Sequence, residues 1–116
     1  MKLQKSIREL QRLQKDFDLN HEGDEPFYQE INDKNIEALE HLIVCIVGEI
    51  GEFSNIVKKI KRGDFKYSEK SSELSEELAD TFIYLIKIAN QMNIDLETIF
   101  LDKLDKNKTR FKHYKK

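Results

Sequence analysis

Apolar residues in this chain recur at three- and four-residue spacing rather than in alternation, and a single proline and four glycines interrupt them. A period near 3.6 puts such residues on one face of a helix, and nothing with the two-residue period of a strand competes with it. An all-α fold follows. The first helix is expected from Leu3 to Asp18, on the stripe Leu3, Ile7, Leu10, Leu13 and Phe17. An irregular stretch with Gly23 and Pro26 comes next. The second helix is expected from a cap at Asp33 to about Arg62, where Gly63 and Asp64 stop it. The third should run from a cap at Ser71 or Ser72 to Gln91 or Met92, and the fourth from Asp95 into a basic tail. Four helices with a short central connection predict a four-helix bundle-like fold in one domain, 1–116.

Composition narrows the class. At 39% apolar and 36% charged residues over 116 positions, one chain has a lean core, so burial of an apolar helix face against a second copy is expected. The lone Cys45 within LIVCIV reads as a small packed hydrophobe and provides no disulfide framework. The N-terminal MKLQKSIREL lacks an apolar leader core, and no apolar run reaches the ~20 residues of a membrane span. A cytoplasmic setting is the expectation. Net charge of -2 argues against bulk binding to nucleic acid.

Carboxylates carry the functional signal, although their spacing alone does not. Acid-x-x-acid occurs seven times here, and most instances read as solvated faces. Two differ in their surroundings. Glu49 and Glu52 lie in VGEIGEF, between apolar positions, and no lysine or arginine occurs from Asn35 to Val57. SSELSEELADTFIYLI contains Glu77 and Asp80 among four acids and no base. If helices two and three form an antiparallel hairpin, Glu52 and Asp80 each stand roughly 15 Å from the turn. All four carboxylates should then meet at one level. Clustered like charges leave water only if a cation compensates them or one takes up a proton. An all-oxygen set without histidine or thiolate favours Mg²⁺, or Mn²⁺, over zinc. Gly48 and Gly51 each cost about 1 kcal/mol against alanine inside a helix, and are expected to serve either a tight helix crossing or the approach of a partner or ligand.

Positive charge gathers in KKIKRGDFK, residues 58–66, and in residues 103–116, where seven lysines and arginines face one aspartate. Spacings of four and three put Lys103, Asn107 and Arg110 on one face of the last helix. Lysine and arginine hold phosphate oxygens, and asparagine can hydrogen-bond a sugar hydroxyl. An acidic metal cage with a basic helix face points to a metal-bound polyphosphate.

These features resemble the MazG-type, all-α nucleoside triphosphate pyrophosphohydrolases, whose ExxE, spacer, ExxD signature is matched by Glu49-Ile-Gly-Glu52, 24 residues, and Glu77-Leu-Ala-Asp80. LDKLDKNKTRF is similar as well, and the likeness spans about residues 36–111. The resemblance implies Mg²⁺-dependent hydrolysis of an NTP or dNTP to monophosphate and pyrophosphate, as a house-cleaning activity. It implies Glu49, Glu52, Glu77 and Asp80 as metal ligands and catalytic residues, with one of them, Glu52 being a candidate, orienting the attacking water. It also implies Lys103, Asn107 and Arg110 as contacts to phosphate and sugar, and a homodimer or homotetramer. Dimeric dUTPases, dCTP pyrophosphatases and phosphoribosyl-ATP pyrophosphohydrolases share the acidic motif.

The loop with His21, Phe27 and Tyr28 could meet a nucleobase or pack back on the helices. A non-catalytic helical module presenting acids to a basic partner is the competing class. A di-iron bundle is disfavoured, because neither His41 nor His113 stands in Glu-x-x-His spacing beside the acids.

Overall fold

The computed structural model describes residues 4–116 and contains four α-helices and no strand among them. Helix α1 spans Ile7–Leu19, α2 Ile36–Lys61, α3 Tyr67–Gln91 and α4 Leu96–Arg110, followed by a 3-10 turn over Lys112–Tyr114. The all-helical expectation holds. Each boundary has a local cause, and three differ from the expected positions.

Helix α1 starts behind a reciprocal cap. Ser6 Oγ accepts from the Glu9 amide at 3.1 Å while the Glu9 carboxylate accepts from the Ser6 amide at 3.2 Å. Leu3, expected in this helix, lies outside the described residues. Helix α2 begins after Asn35 rather than Asp33. The Asn35 side chain turns back to accept from the Asn32 amide at 2.7 Å, so it closes the preceding turn instead of capping. Helix α3 starts one turn before the expected serines, because the Glu69 carboxylate accepts from the Lys66 amide at 2.9 Å and satisfies an otherwise orphaned donor. Helix α4 starts as expected, with Asp95 Oδ1 accepting from the Glu97 amide at 3.2 Å.

The α2–α3 hairpin is the centre of the molecule. Leu42, Cys45, Glu49, Phe53, Ile56 and Ile60 form the α2 face turned inward, and Leu74, Glu77, Thr81, Tyr84 and Ile88 form the answering face of α3. Helix α1 packs on α3, and α4 packs chiefly on α1. The expected apolar stripe of α1 is only partly used, since Leu13 and Phe17 are about half exposed while Gln11 and Asp18 are buried. Gln11 explains this arrangement. Its amide donates to Asn90 Oδ1 at 3.0 Å and to the Ile94 carbonyl at 2.8 Å, and its carbonyl oxygen accepts from the Leu96 amide at 2.9 Å. A polar seam thus ties α1 to the α3–α4 corner, where Asn93 takes a left-handed φ of 56°.

One chain does not close a bundle. Its radius of gyration is 17.5 Å, against about 13 Å for a compact chain of this length. Among the described residues the buried apolar side chains are Leu42, Leu74, Ile86 and Ala89. The outer face of α2 remains bare, with Val44 67% and Val47 59% exposed. A Cβ built on Gly48 or Gly51 meets nothing within 4 Å, so the intrachain crossing does not explain these glycines. No described helix is long and apolar enough to cross a membrane.

Candidate active site

The seam between α2 and α3 is apolar at both ends and acidic in the middle. Glu77 stands ten residues into α3, while Glu52 and Glu49 stand nine and twelve residues before the end of α2. At about 1.5 Å rise per residue, Glu77 falls between the levels of the two glutamates facing it. Carboxylate oxygens of Glu49, Glu52 and Glu77 consequently lie within 4.8 Å of one another. Asp80 stands outside this group and is exposed. The early start of α3 moves Asp80 about a turn past Glu52, to the level of Glu49.

Among the described residues, no lysine, arginine or histidine forms an ion pair with any of these four acids. Glu49 Oε2 and Glu77 Oε2 are buried without a hydrogen-bond partner. Leaving such atoms unmatched carries a desolvation penalty. Hydrogen bonding to Glu49 and then Glu52, with desolvation behind it, pushes the Glu77 carboxyl up to about 7. A carboxyl raised in this way is only partly ionised at neutral pH. The orphaned oxygens and the all-oxygen donor set fit a hard divalent cation such as Mg²⁺.

One turn beyond Asp80, Tyr84 connects the acids to a cavity of about 570 Å³. Burial pushes its phenol above the usual tyrosine value, with Cys45, then Glu49 and Asp80, adding to the effect. His41, Leu42, Phe27, Lys87 and Gln91 line the same cavity. Gln91 serves the loop above it, donating to the Phe27 carbonyl at 3.1 Å and accepting from the Gln29 amide at 3.4 Å. The Ile31 amide donates to the Gln91 backbone carbonyl at 2.8 Å, so residues 27–31 dock on the end of α3. His21 packs back, stacked on Phe17 at 4.0 Å and on Phe27 at 5.7 Å, and is absent from the cavity wall.

The basic residues take other places. Lys103, Asn107 and Arg110 stay on α4, whose chief packing partner is α1, and none of them pairs with the acidic cluster. Arg110 lies over the Phe111 ring at 4.9 Å. In the other basic segment, Arg62 pairs with Asp64 at 2.7 Å.

Sequence periodicity did not single out Lys87 and Asp18, yet the structure joins them at 3.0 Å with Asp18 fully buried. The available signal was Lys87 as the sole charge in TFIYLIKIA. Its counter-ion comes from α1, a pairing that spacing along one helix does not reveal.

The model of the MazG nucleotide pyrophosphohydrolase domain matches residues 37–115. The Gene 37 protein of Mycobacterium phage L5 is 36% identical over 78 residues, covering 66% of this chain and 68% of the phage protein. The dCTP pyrophosphatase 1 of Homo sapiens is 28% identical over 111 residues, and that of Rattus norvegicus 27% over 110, each match covering 91% of this chain. The aligned region spans 59% of the length of these two pyrophosphatases. No solved structure matches the chain. This all-α chain belongs to the MazG nucleotide pyrophosphohydrolase domain family, whose reaction class is nucleoside triphosphate pyrophosphohydrolysis.

Proposed function

We propose that this protein hydrolyses a nucleoside or deoxynucleoside triphosphate to the monophosphate and pyrophosphate in the cytoplasm, in a Mg²⁺-dependent reaction that removes unwanted nucleotides from the pool. The observation that carries the reading is the seam of three carboxylates within 4.8 Å, two of them with buried unpartnered oxygens. Their uncompensated charge is costly to the apo fold and is explained by a cationic ligand. Names of the relatives make dCTP the first substrate to test.

Glu49, Glu52 and Glu77 would hold the cation, with Asp80 at the exposed edge. A bound Mg²⁺ or Mn²⁺ neutralises polyphosphate charge and lowers the pKa of bound water. Glu52, the solvent-exposed member of the group, is placed to orient the attacking water and accept its proton. Attack forms a new P–O bond to water and breaks the bridge between the α- and β-phosphates; the departing oxygen leaves with pyrophosphate or monophosphate according to which phosphorus is attacked.

We assign Lys103, Asn107 and Arg110 to phosphate and sugar contacts within a homodimer or homotetramer. Exposed Val44, Val47, Ile99, Phe100 and Leu101 support assembly, and Gly48 and Gly51, open within the chain, leave room for another helix to approach.

The test is a product assay with Mg²⁺ and a panel of NTPs and dNTPs, quantifying pyrophosphate and orthophosphate separately. Pyrophosphate with equimolar monophosphate is the expected result. Orthophosphate as the first product, or no product across the panel, overturns the reading.

A further inference from the structure

The cavity beside Tyr84 contains one cationic wall residue among the described residues, Lys87. Its ammonium group donates to Asp18 Oδ1 at 3.0 Å and lies 5.0 Å from the Phe27 ring centre and 5.8 Å from that of Tyr84. Asp18 is 1% exposed, and Gln14 also donates to its Oδ1 at 3.0 Å. A lysine so held loses the freedom that normally makes it a poor reader of ligand geometry. An ammonium has three donors, and among the described residues Lys87 finds an acceptor for one of them, Asp18 Oδ1.

Position adds the second half of the argument. Lys87 stands seven residues beyond Asp80 on α3, two turns or about 10 Å along the axis. Tyr84 lies between them and faces the cavity. A nucleotide with its phosphates at the acidic cluster would extend its base toward this cavity, where Phe27, Tyr84 and Lys87 share the wall with His41 and with Asp24, Glu25 and Glu37. Gln91 is oriented by the loop at both ends of its amide, donating to the Phe27 carbonyl and accepting from the Gln29 amide.

We propose that Lys87, fixed by the buried Asp18, is the residue that selects the base, by donating to a ring carbonyl oxygen. Cytosine, uracil, thymine and guanine carry such an oxygen, and adenine does not. The selected class is thus carbonyl-bearing bases: adenine offers the ammonium only ring nitrogens, set back in the ring, which a donor fixed for a projecting carbonyl oxygen meets poorly. This inference rests on the proposed pyrophosphohydrolase activity and deepens it.

The experiment measures kcat/KM for dCTP, dUTP, dGTP and dATP with pyrophosphate as the readout. Wild type should prefer the best carbonyl-bearing substrate over dATP by about ten- to a hundredfold, the span of one hydrogen bond to a charged donor. Lys87→Met keeps the apolar stem and removes the donors, and should bring that ratio close to one. Because Met alone leaves Asp18 buried without its cation, the double variant Asp18→Asn, Lys87→Met is measured beside it, with folding checked by circular dichroism. It should show the same collapse.

A ratio that persists in a folded variant, or a wild type indifferent to adenine, overturns the role of Lys87 while leaving the pyrophosphohydrolase reading intact. Absence of pyrophosphate from every nucleotide overturns both.

Discussion

Two sets of acids at helix seams in this molecule are treated in opposite ways. Asp18, between α1 and α3, has its own cation, Lys87 at 3.0 Å, and an amide donor from Gln14. Glu49, Glu52 and Glu77, between α2 and α3, have one another and no cation among the described residues; Asp18 Oδ2 is buried without a partner just as Glu49 Oε2 and Glu77 Oε2 are, so the cation is the difference between the two sets. A charge that the protein neutralises itself belongs to the scaffold or positions a neighbour. One left uncompensated across a packed seam awaits a ligand. The contrast separates structural from functional acids more clearly than burial does, because Asp18 is the more buried of the two kinds.

The contrast breaks most visibly by substitution at the seam. Glu49→Gln or Glu77→Gln should lower pyrophosphate release by about a hundred- to a thousandfold, yet leave the apo protein as stable as wild type or more so. A folded variant with near-normal turnover would remove that residue from the site. At the compensated pair the expectation reverses. Asp18→Ala strands Lys87 in a largely buried place and should cost about 3 kcal/mol in a urea titration. Asp18→Asn with Lys87→Met should cost less than Asp18→Ala, since neither partner is then left as an unpaired buried charge.

Ligand binding sharpens the comparison at a smaller scale. Mg²⁺ at about a hundredfold over its Kd should stabilise wild type by about 2.7 kcal/mol, read as a raised melting midpoint, and should do little for Glu49→Gln. An unmoved wild-type midpoint would count against the cation site. The smallest effect is the pH response of the metal-free protein. Glu77 is raised to about 7 by Glu49 and Glu52, above the unfolded carboxyl value of about 4.3. Its stabilising contribution is complete below the unfolded value and is lost as pH rises through about 7. The apo midpoint should fall between pH 5 and 8, and Glu77→Gln should flatten that fall.

Much of the site was readable in one dimension because its rule is local. Glu49 and Glu52 share a helix with no cation within reach, and Glu77 continues the pattern in the next helix, so an antiparallel hairpin was enough to bring them together. Asp80 shows where the inference strains. Placing the start of α3 at Ser71 or Ser72 put Asp80 level with Glu52, whereas the Glu69 cap starts the helix at Tyr67, which puts Glu77 between the two glutamates of α2 and Asp80 at the level of Glu49, outside the group of three. A cap made by a carboxylate three residues inside the helix competes with serine caps, and their strengths differ by too little for sequence to rank them.

Helical periodicity, the uncompensated carboxylates and the ExxE and ExxD spacing were determined by the sequence alone, because each depends on residues within a turn or two of one another. Only the tertiary structure decided which glutamates stand together, that Lys87 meets Asp18 across 69 positions of chain, that His21 turns away from the cavity, and that α4 lies on α1 apart from the acids. Those outcomes depend on helix register and packing, where a shift of one residue turns a side chain by 100° and a polar seam such as Gln11 with Asn90 outweighs an apolar stripe.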